Sequence, residues 1–207
     1  MVDRVNFEAV WRIRSFFVTP RDQIVWLKLM HRNLYTADRD DNSDGLCKAC
    51  ARYRENQIHL AGCFVIVRSY WTPVIDLISA LGGETPGPGQ RTSYLTVGRV
   101  DDRTCVGQTA AGVLFLAWRA LYAATVNSRV RNRPLNLNWA LKYLGSMVVK
   151  RLTAYGEKWM TWSNTRTNTS LLSIIPQKFR ERQVISQGPW GDYTIHEEIQ
   201  KWIDRLP

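Results

Sequence analysis

Cys47-Lys48-Ala49-Cys50-Ala51-Arg52-Tyr53-Arg54-Glu55-Asn56-Gln57-Ile58-His59-Leu60-Ala61-Gly62-Cys63 is the stretch on which the reading of this chain turns. Its spacing is C-x2-C-x8-H-x3-C. The close first pair suits a tight turn that presents two thiolates to one ion. The second pair is spaced i, i+4, which puts both ligands on one face of a helix. Zinc takes soft or borderline ligands at tetrahedral corners, and Cys47, Cys50, His59 and Cys63 supply such a set. Four protein ligands close the coordination sphere, so the expected site is structural and not catalytic. The plainer alternative is a set of small apolar cysteines beside an ordinary helix histidine. Against it, three of the four Cys and one of the three His fall within this single stretch. Cys105 stands apart and is expected to be a buried thiol.

A chain of 207 residues with 45% hydrophobic content has room for one large domain or two small ones, and its composition is globular. No run approaches the roughly 18 consecutive apolar residues of a membrane span, so none is expected. Met1 to Arg14 has scattered charge and no apolar centre, so no signal peptide is visible. Cysteines at metal spacing suit an intracellular, reducing compartment better than a disulfide framework.

The net charge is +10, and its placement is informative. Between Trp118 and Gln183 twelve Lys or Arg face only Glu157 and Glu181, whereas the rest of the chain carries 16 basic and 16 acidic residues. The whole excess therefore lies on Arg119, Arg129, Arg131, Arg133, Lys142, Lys150, Arg151, Lys158, Arg166, Lys178, Arg180 and Arg182. Such a block favours a polyanion through phosphate neutralisation and counterion release. Aromatic residues interleaved with it favour nucleic acid over a merely solvated helix face, and the basic side is the candidate RNA face, with these cations as its expected contacts.

The hydrophobic pattern is mainly helical. Asn6 can cap a first helix, and Thr19-Pro20 is a stronger start signal for a second that carries Trp26 to Leu34. His31 reads as an ordinary residue of that helix. Residues 39–45 form an acidic loop. Its D-x-N-x-D-G start, Asp40 to Gly45, lacks the glutamate that would complete a calcium loop, because Ala51 stands there. His59 to Trp71 is expected to be one helix, Pro73 to kink it, Val74 to Leu81 to continue its apolar stripe, and Gly82-Gly83 to stop it. Tyr94 to Val97 reads as a short extended piece. From about Thr109 the period is clearly helical, with Ala110, Val113, Leu114, Ala117, Trp118 and Leu121 on one stripe. Pro134 ends that helix. Asn136 or Asn138 caps the next, which runs to about Trp162 on a stripe of Leu141, Leu144, Val148 and Leu152. Ser163 to Ser170 is a polar loop and Pro176 to Arg182 a short basic segment. Gly188 to Asp192 is a turn, and Thr194 with Glu197 forms a capping box before a closing helix.

The expected fold is therefore mainly α: a small Cys3His zinc-knuckle module followed by a basic helical region. The boundaries are 1–82 for the knuckle module, 83–108 for a loop or linker, and 109–207 for the basic domain with its C-terminal capping helix. No P-loop, nucleotide glycine fingerprint, G-x-S-x-G or H-E-x-x-H is present, and His31 and His196 have no recognisable catalytic partner. Asp101-Asp102 lacks the third carboxylate that a magnesium-dependent polymerase site uses, so the chain is read as non-catalytic.

From Phe7 to Leu81 the residues resemble the zinc-binding region that follows the polymerase domain in non-LTR retrotransposon reverse transcriptases. Trp11 and Trp26 to Leu34 match its aromatic-rich helix. Cys47, Cys50, His59-Leu60 and Cys63 match its knuckle, and Trp71 the aromatic helix behind it. The polymerase and its catalytic aspartates are absent. The resemblance implies a nucleic-acid-handling piece, either the C-terminal part of such an enzyme or a retroelement-derived protein in structural use. In the second case the partners would be ribosomal RNA and neighbouring proteins of a large ribonucleoprotein, such as an organellar ribosome. The competing expectation is a protein-binding subunit of a multi-subunit, membrane-associated assembly, with its basic segment against acidic subunits or anionic headgroups.

Overall fold

The computed structural model describes residues 24–25, 27–29, 34–41, 43–81, 83–87, 89–97, 108–163, 185–187, 193–195 and 197–206. The helix expected from Asn6, the Thr19-Pro20 start of the second, His31, Asp101-Asp102, Cys105, the loop after Ser163, the Pro176 to Arg182 segment, the turn at 188–192 and His196 lie outside these residues. Of the second expected helix, 24–25 and 27–29 are helical, whereas Leu34, expected within it, is not. The described architecture is mainly helical, with one short antiparallel β-hairpin.

The knuckle begins as a folded-back loop. Leu46 and Arg54 form an antiparallel bridge. On either side of it Cys47 N–H donates to Tyr53 O at 2.9 Å and Glu55 N–H to Gly45 O at 2.8 Å. Asp44 directs the chain into this turn. Its carboxylate accepts from Leu46 N–H at 2.9 Å and from Lys48 Nζ at 3.1 Å. The Leu46 amide, and after it Lys48, holds that carboxyl below its ordinary range. The half calcium motif is thus committed to a local turn.

Helix α1 spans Gln57–Gly62, with Asn56 Oδ1 accepting from His59 N–H at 2.8 Å as its N-cap. Its end corrects the single helix expected from His59 to Trp71. Cys63 has φ −60° and ψ 121°, so it closes α1 and opens a new run: α2 (Phe64–Ile66), a π turn (Val67–Trp71) and α3 (Thr72–Ala80). The π turn sits directly before Pro73, which has no N–H to give. There Thr72 sends both its N–H and its hydroxyl to Val67 O, the latter at 3.0 Å. Past α3, a Cβ on Gly83 would lie 2.7 Å from Ile78 Cγ2 and 3.3 Å from Ala110 Cβ, so the chain passes where only glycine fits.

Two further expectations are corrected. Tyr94 to Val97 belongs to helix α4 (Arg91–Val97), inside the stretch read as linker. Tyr94 and Leu95 are both buried, and neighbours in sequence bury together on a helix but point to opposite faces of a strand. Thr194 lies in strand β2 (Tyr193–Ile195), paired with Ser186 of β1 (Ile185–Gln187), so it does not cap the closing helix. The ladder holds its backbone extended, and that helix, α7 (Glu197–Asp204), starts after it.

Helices α5 (Gln108–Val130) and α6 (Leu137–Ser163) form the long hairpin against which the rest packs. The expected stripes are in place. Ala110, Val113, Leu114, Ala117, Trp118 and Leu121 of α5, with Leu141, Leu144, Val148 and Leu152 of α6, are buried. Helix α5 ends in a Schellman motif. Asn132, at φ 44°, donates to Arg129 O at 3.0 Å and Arg133 N–H donates to Ser128 O at 2.9 Å. Asn136 is the cap of α6, its Oδ1 accepting from Trp139 N–H at 2.8 Å.

One cluster of buried apolar side chains extends from Leu29 through the knuckle, α3, α4, α5 and α6 to Trp202. Its aromatic members have partners for their polar tips. Tyr70 Oη donates to Ala117 O at 2.6 Å, Trp71 Nε1 to Leu60 O at 2.9 Å, Trp118 Nε1 to Leu95 O at 2.6 Å and Trp202 Nε1 to Pro73 O at 2.7 Å. Each tip left unpaired at such depth would cost about 1–3 kcal/mol. These rings are therefore core and not platforms for bases. Ala110–Val130 has the length and hydropathy of a bilayer-crossing helix, although no unbroken apolar run is that long. In this fold 72% of that stretch's apolar window is buried, and the protein interior accounts for its character.

Candidate metal centre and basic corner

The four expected ligands converge. The ligand atoms of Cys47, Cys50, His59 and Cys63 all lie within 4.8 Å of one another, and Cys50 Sγ is 3.4 Å from His59 Nε2. A tetrahedral zinc with ordinary bond lengths would hold a sulfur and a nitrogen about 3.5 Å apart, so the separation fits. Three elements bring the ligands together. The Cys47 turn presents the first two, α1 carries His59, and the break at Cys63 swings the fourth toward them.

The turn is built to carry sulfur anions. Cys47 Sγ receives the amides of Ala49 and Cys50, and Cys50 Sγ those of Arg52 and Tyr53. Burial still pushes the Cys47 thiol up to about 12. At Cys50 burial pushes upward too, but the two amides and the neighbouring Cys47 and Cys63 thiols outweigh it and leave the group below its usual range. Burial lowers His59, which keeps the imidazole neutral and able to ligate. This donor set can hold a metal ion, and a cation at its centre supplies the charge that the buried thiolates need. No open coordination position is left among four protein ligands, so such an ion would act as a cross-link. Ala51 closes the turn at φ 53°, an unusual conformation for a residue with a Cβ.

The twelve expected RNA contacts divide. Arg131, Arg133, Lys142 and Lys150 are exposed, while Arg151 is half-buried. Arg119 is partly buried, with Nη2 3.5 Å from Tyr143 Oη. Lys158 is placed on α6 by its backbone. Arg166, Lys178, Arg180 and Arg182 lie outside the described residues.

Arg129 is a correction. Its side chain is 7% exposed and its Nε lies 3.9 Å from Oε1 of Glu55, itself 1% exposed. Its Nη2 donates to Tyr35 O at 2.6 Å, and the guanidinium lies 5.2 Å from the Tyr35 ring centroid. Arg129 therefore ties α5 to the knuckle and does not face a ligand. Glu55 completes the tie by accepting from Ala37 N–H at 3.1 Å. Nothing in the sequence separates Glu55 from the surface acids around it, since its neighbours Arg54 and Asn56 are polar.

A second contact joins the same parts. Leu135 N–H, in the connection between α5 and α6, donates to Lys48 O within the Cys47–Cys50 turn at 3.3 Å. Beside that connection, Ala124, Asn127, Ser128, Arg131, Arg133, Pro134, Asn136 and Trp139 line a groove of about 580 Å3. Trp139 is 40% exposed and stacks on Tyr143, with ring centroids 5.2 Å apart. Sequence reading did not single it out. The available signal was its position off the Leu141–Leu144–Val148 stripe together with an aromatic four residues on. Comparison with family models, with curated proteins and with solved structures finds no match.

Proposed function

We propose that this chain is a non-catalytic nucleic-acid-binding module, stabilised by one zinc ion at Cys47, Cys50, His59 and Cys63, and that RNA is its ligand. The observation that carries this reading is the charge of the α5–α6 hairpin. From Gln108 to Leu152 there are seven Lys or Arg and not one Asp or Glu. On α6 the core stripe occupies one side. Trp139, Lys142, Tyr143, Ser146 and Lys150 recur at helical spacing on the other, and of these only Tyr143 is partly covered. A face of cations and aromatic rings without carboxylates suits a phosphate backbone with accessible bases.

The sequence order of Trp11 and Trp26 to Leu34, then the Cys47–Cys63 knuckle, then Trp71 supports a kinship with the zinc-binding region of non-LTR retrotransposon reverse transcriptases. Under that reading the chain is the nucleic-acid-handling part of such a protein or of a ribonucleoprotein component derived from one, including an organellar ribosome. The test is binding of labelled RNA at a series of salt concentrations. Log affinity should fall linearly with log salt, with a slope of about −0.7 per phosphate contact on a single strand. Affinity independent of salt would refute the reading.

A further inference from the structure

We propose that the groove at the α5–α6 corner is a seat for one unpaired nucleotide, with its base on Trp139 and its flanking phosphates on Arg131 and Arg133. This rests on the nucleic-acid reading above and adds the single-stranded character of the ligand and the residues that select it.

Three features of the corner carry the assignment. The first is the platform. One face of Trp139 lies on Tyr143, whose hydroxyl is within 3.5 Å of Arg119 Nη2, so the indole is braced from behind. Yet 40% of it stays exposed at the edge of the groove. Every buried Trp described above has a backbone partner and a packed environment; Trp139 has neither burial nor a place in the core cluster.

The second is the cations. Arg131 and Arg133 are exposed and line the same groove, either side of Asn132 in its left-handed conformation. The Schellman bonds and the Ser128 hydroxyl, which donates to Arg133 O, fix the backbone that carries them. A guanidinium on a fixed backbone loses less entropy on binding phosphate than one on a mobile loop.

The third is size and composition. A groove of about 580 Å3 lies within the roughly 300–1,000 Å3 of small-ligand sites. Its remaining lining combines the polar Asn127, Ser128 and Asn136, which suit base edges and ribose hydroxyls, with the apolar Ala124 and Pro134. A base in a duplex is stacked on both faces and cannot lie on Trp139, whereas an unpaired base can.

The test compares a fluorescent single-stranded RNA of about 12 nucleotides with a duplex of equal length, using the zinc-loaded full chain. Trp139→Leu should weaken single-strand binding about tenfold and leave duplex binding unchanged, while Trp139→Phe should keep most of the affinity. The double variant Arg131→Gln/Arg133→Gln should flatten the salt dependence on the single strand by about 1.4 in slope, two phosphates' share. Equal single-strand affinity for Trp139→Leu and the unaltered chain overturns the seat and leaves the RNA-binding reading intact. Failure of the unaltered chain to bind either RNA overturns both.

Discussion

Replacing Arg129 by Met should destabilise this protein by about 3 kcal/mol without removing a ligand contact. The magnitude follows from the pair it breaks. Glu55 is 1% exposed and Arg129 7%, at a separation of 3.9 Å. With the effective dielectric of about 20 that suits protein sites, that distance gives roughly 4 kcal/mol of attraction. The hydrogen bond to Tyr35 O adds a lesser amount, since water can take its place at the surface. Against these stands the desolvation of the guanidinium, which Met does not incur and which brings the loss below that attraction. The net lies at the low end of the roughly 3–5 kcal/mol seen when one partner of a buried pair is removed. For a chain of this size it should lower the thermal midpoint by about 6–12 °C.

The assay is thermal unfolding by circular dichroism in excess zinc, run as a double-mutant cycle. Glu55→Gln keeps an oxygen for Ala37 N–H. The double variant Glu55→Gln/Arg129→Met therefore leaves no buried charge and should return to within about 1 kcal/mol of the unaltered chain. A pH series gives a second readout. Burial raises the Glu55 carboxyl, and the Ala37 amide and then Arg129 act in the opposite direction. A carboxyl whose pKa is higher in the folded than in the unfolded state favours the fold when protonated, and that contribution is lost as pH rises through the folded pKa. Removing Arg129 raises the carboxyl further. The deficit of Arg129→Met, taken against the unaltered chain at the same pH, should thus be larger at about pH 7.5 than at about pH 5.5. Single-variant losses that simply add, to within about 0.5 kcal/mol, would refute the coupling.

Cys47→Ser should abolish binding of about one zinc per chain, measured by elemental analysis, and unfold the knuckle, since a structural zinc contributes on the order of 10 kcal/mol in small modules. Ala51→Gly should raise the stability of the zinc-loaded protein by about 1 kcal/mol, because glycine has no Cβ to strain at φ 53°; an unchanged thermal midpoint would show that the turn is relaxed with alanine. Gly83→Ala should cost about 1–3 kcal/mol in denaturant unfolding, since its Cβ would meet Ile78 Cγ2 at 2.7 Å and Ile78 O at 3.2 Å. Gly62→Ala, with nothing within 4 Å of the added carbon, should cost nothing in the same assay.

Much of this molecule was legible where local chemistry decides it. The ligand spacing brought four side chains together, and the helical period identified the buried stripes of α5 and α6. Asn136 and Pro134 marked one junction correctly because caps and missing amides act within a few residues. The errors share a cause: contacts between distant parts of the chain decide them. Tyr94 to Val97 looked extended from its composition, but burial of both Tyr94 and Leu95 requires a helix. Cys63 leaves the helix because its sulfur must reach a turn sixteen residues earlier. Arg129 looked like its exposed neighbours Arg131 and Arg133, and only the position of Glu55 distinguishes it. A count of charge along the sequence locates an electropositive segment; it does not say which of its members are already neutralised.

That distinction alters what the knuckle does. Its own sequence neighbourhood is electrically balanced, which made it look remote from the basic helices that follow. In space it is their neighbour. Lys48, between the first two ligands, accepts from Leu135 in the α5–α6 connection, and Glu55, between the second and third, holds Arg129 in the last turn of α5. Both contacts end within a few residues of Arg131 and Arg133. A metal that fixes Cys47, Cys50, His59 and Cys63 thereby fixes the two carbonyl and carboxylate acceptors on which the corner rests. The ion's place in the proposed function is as a buttress: it binds no nucleic acid itself, and it holds the turn from which the exposed arginines are presented.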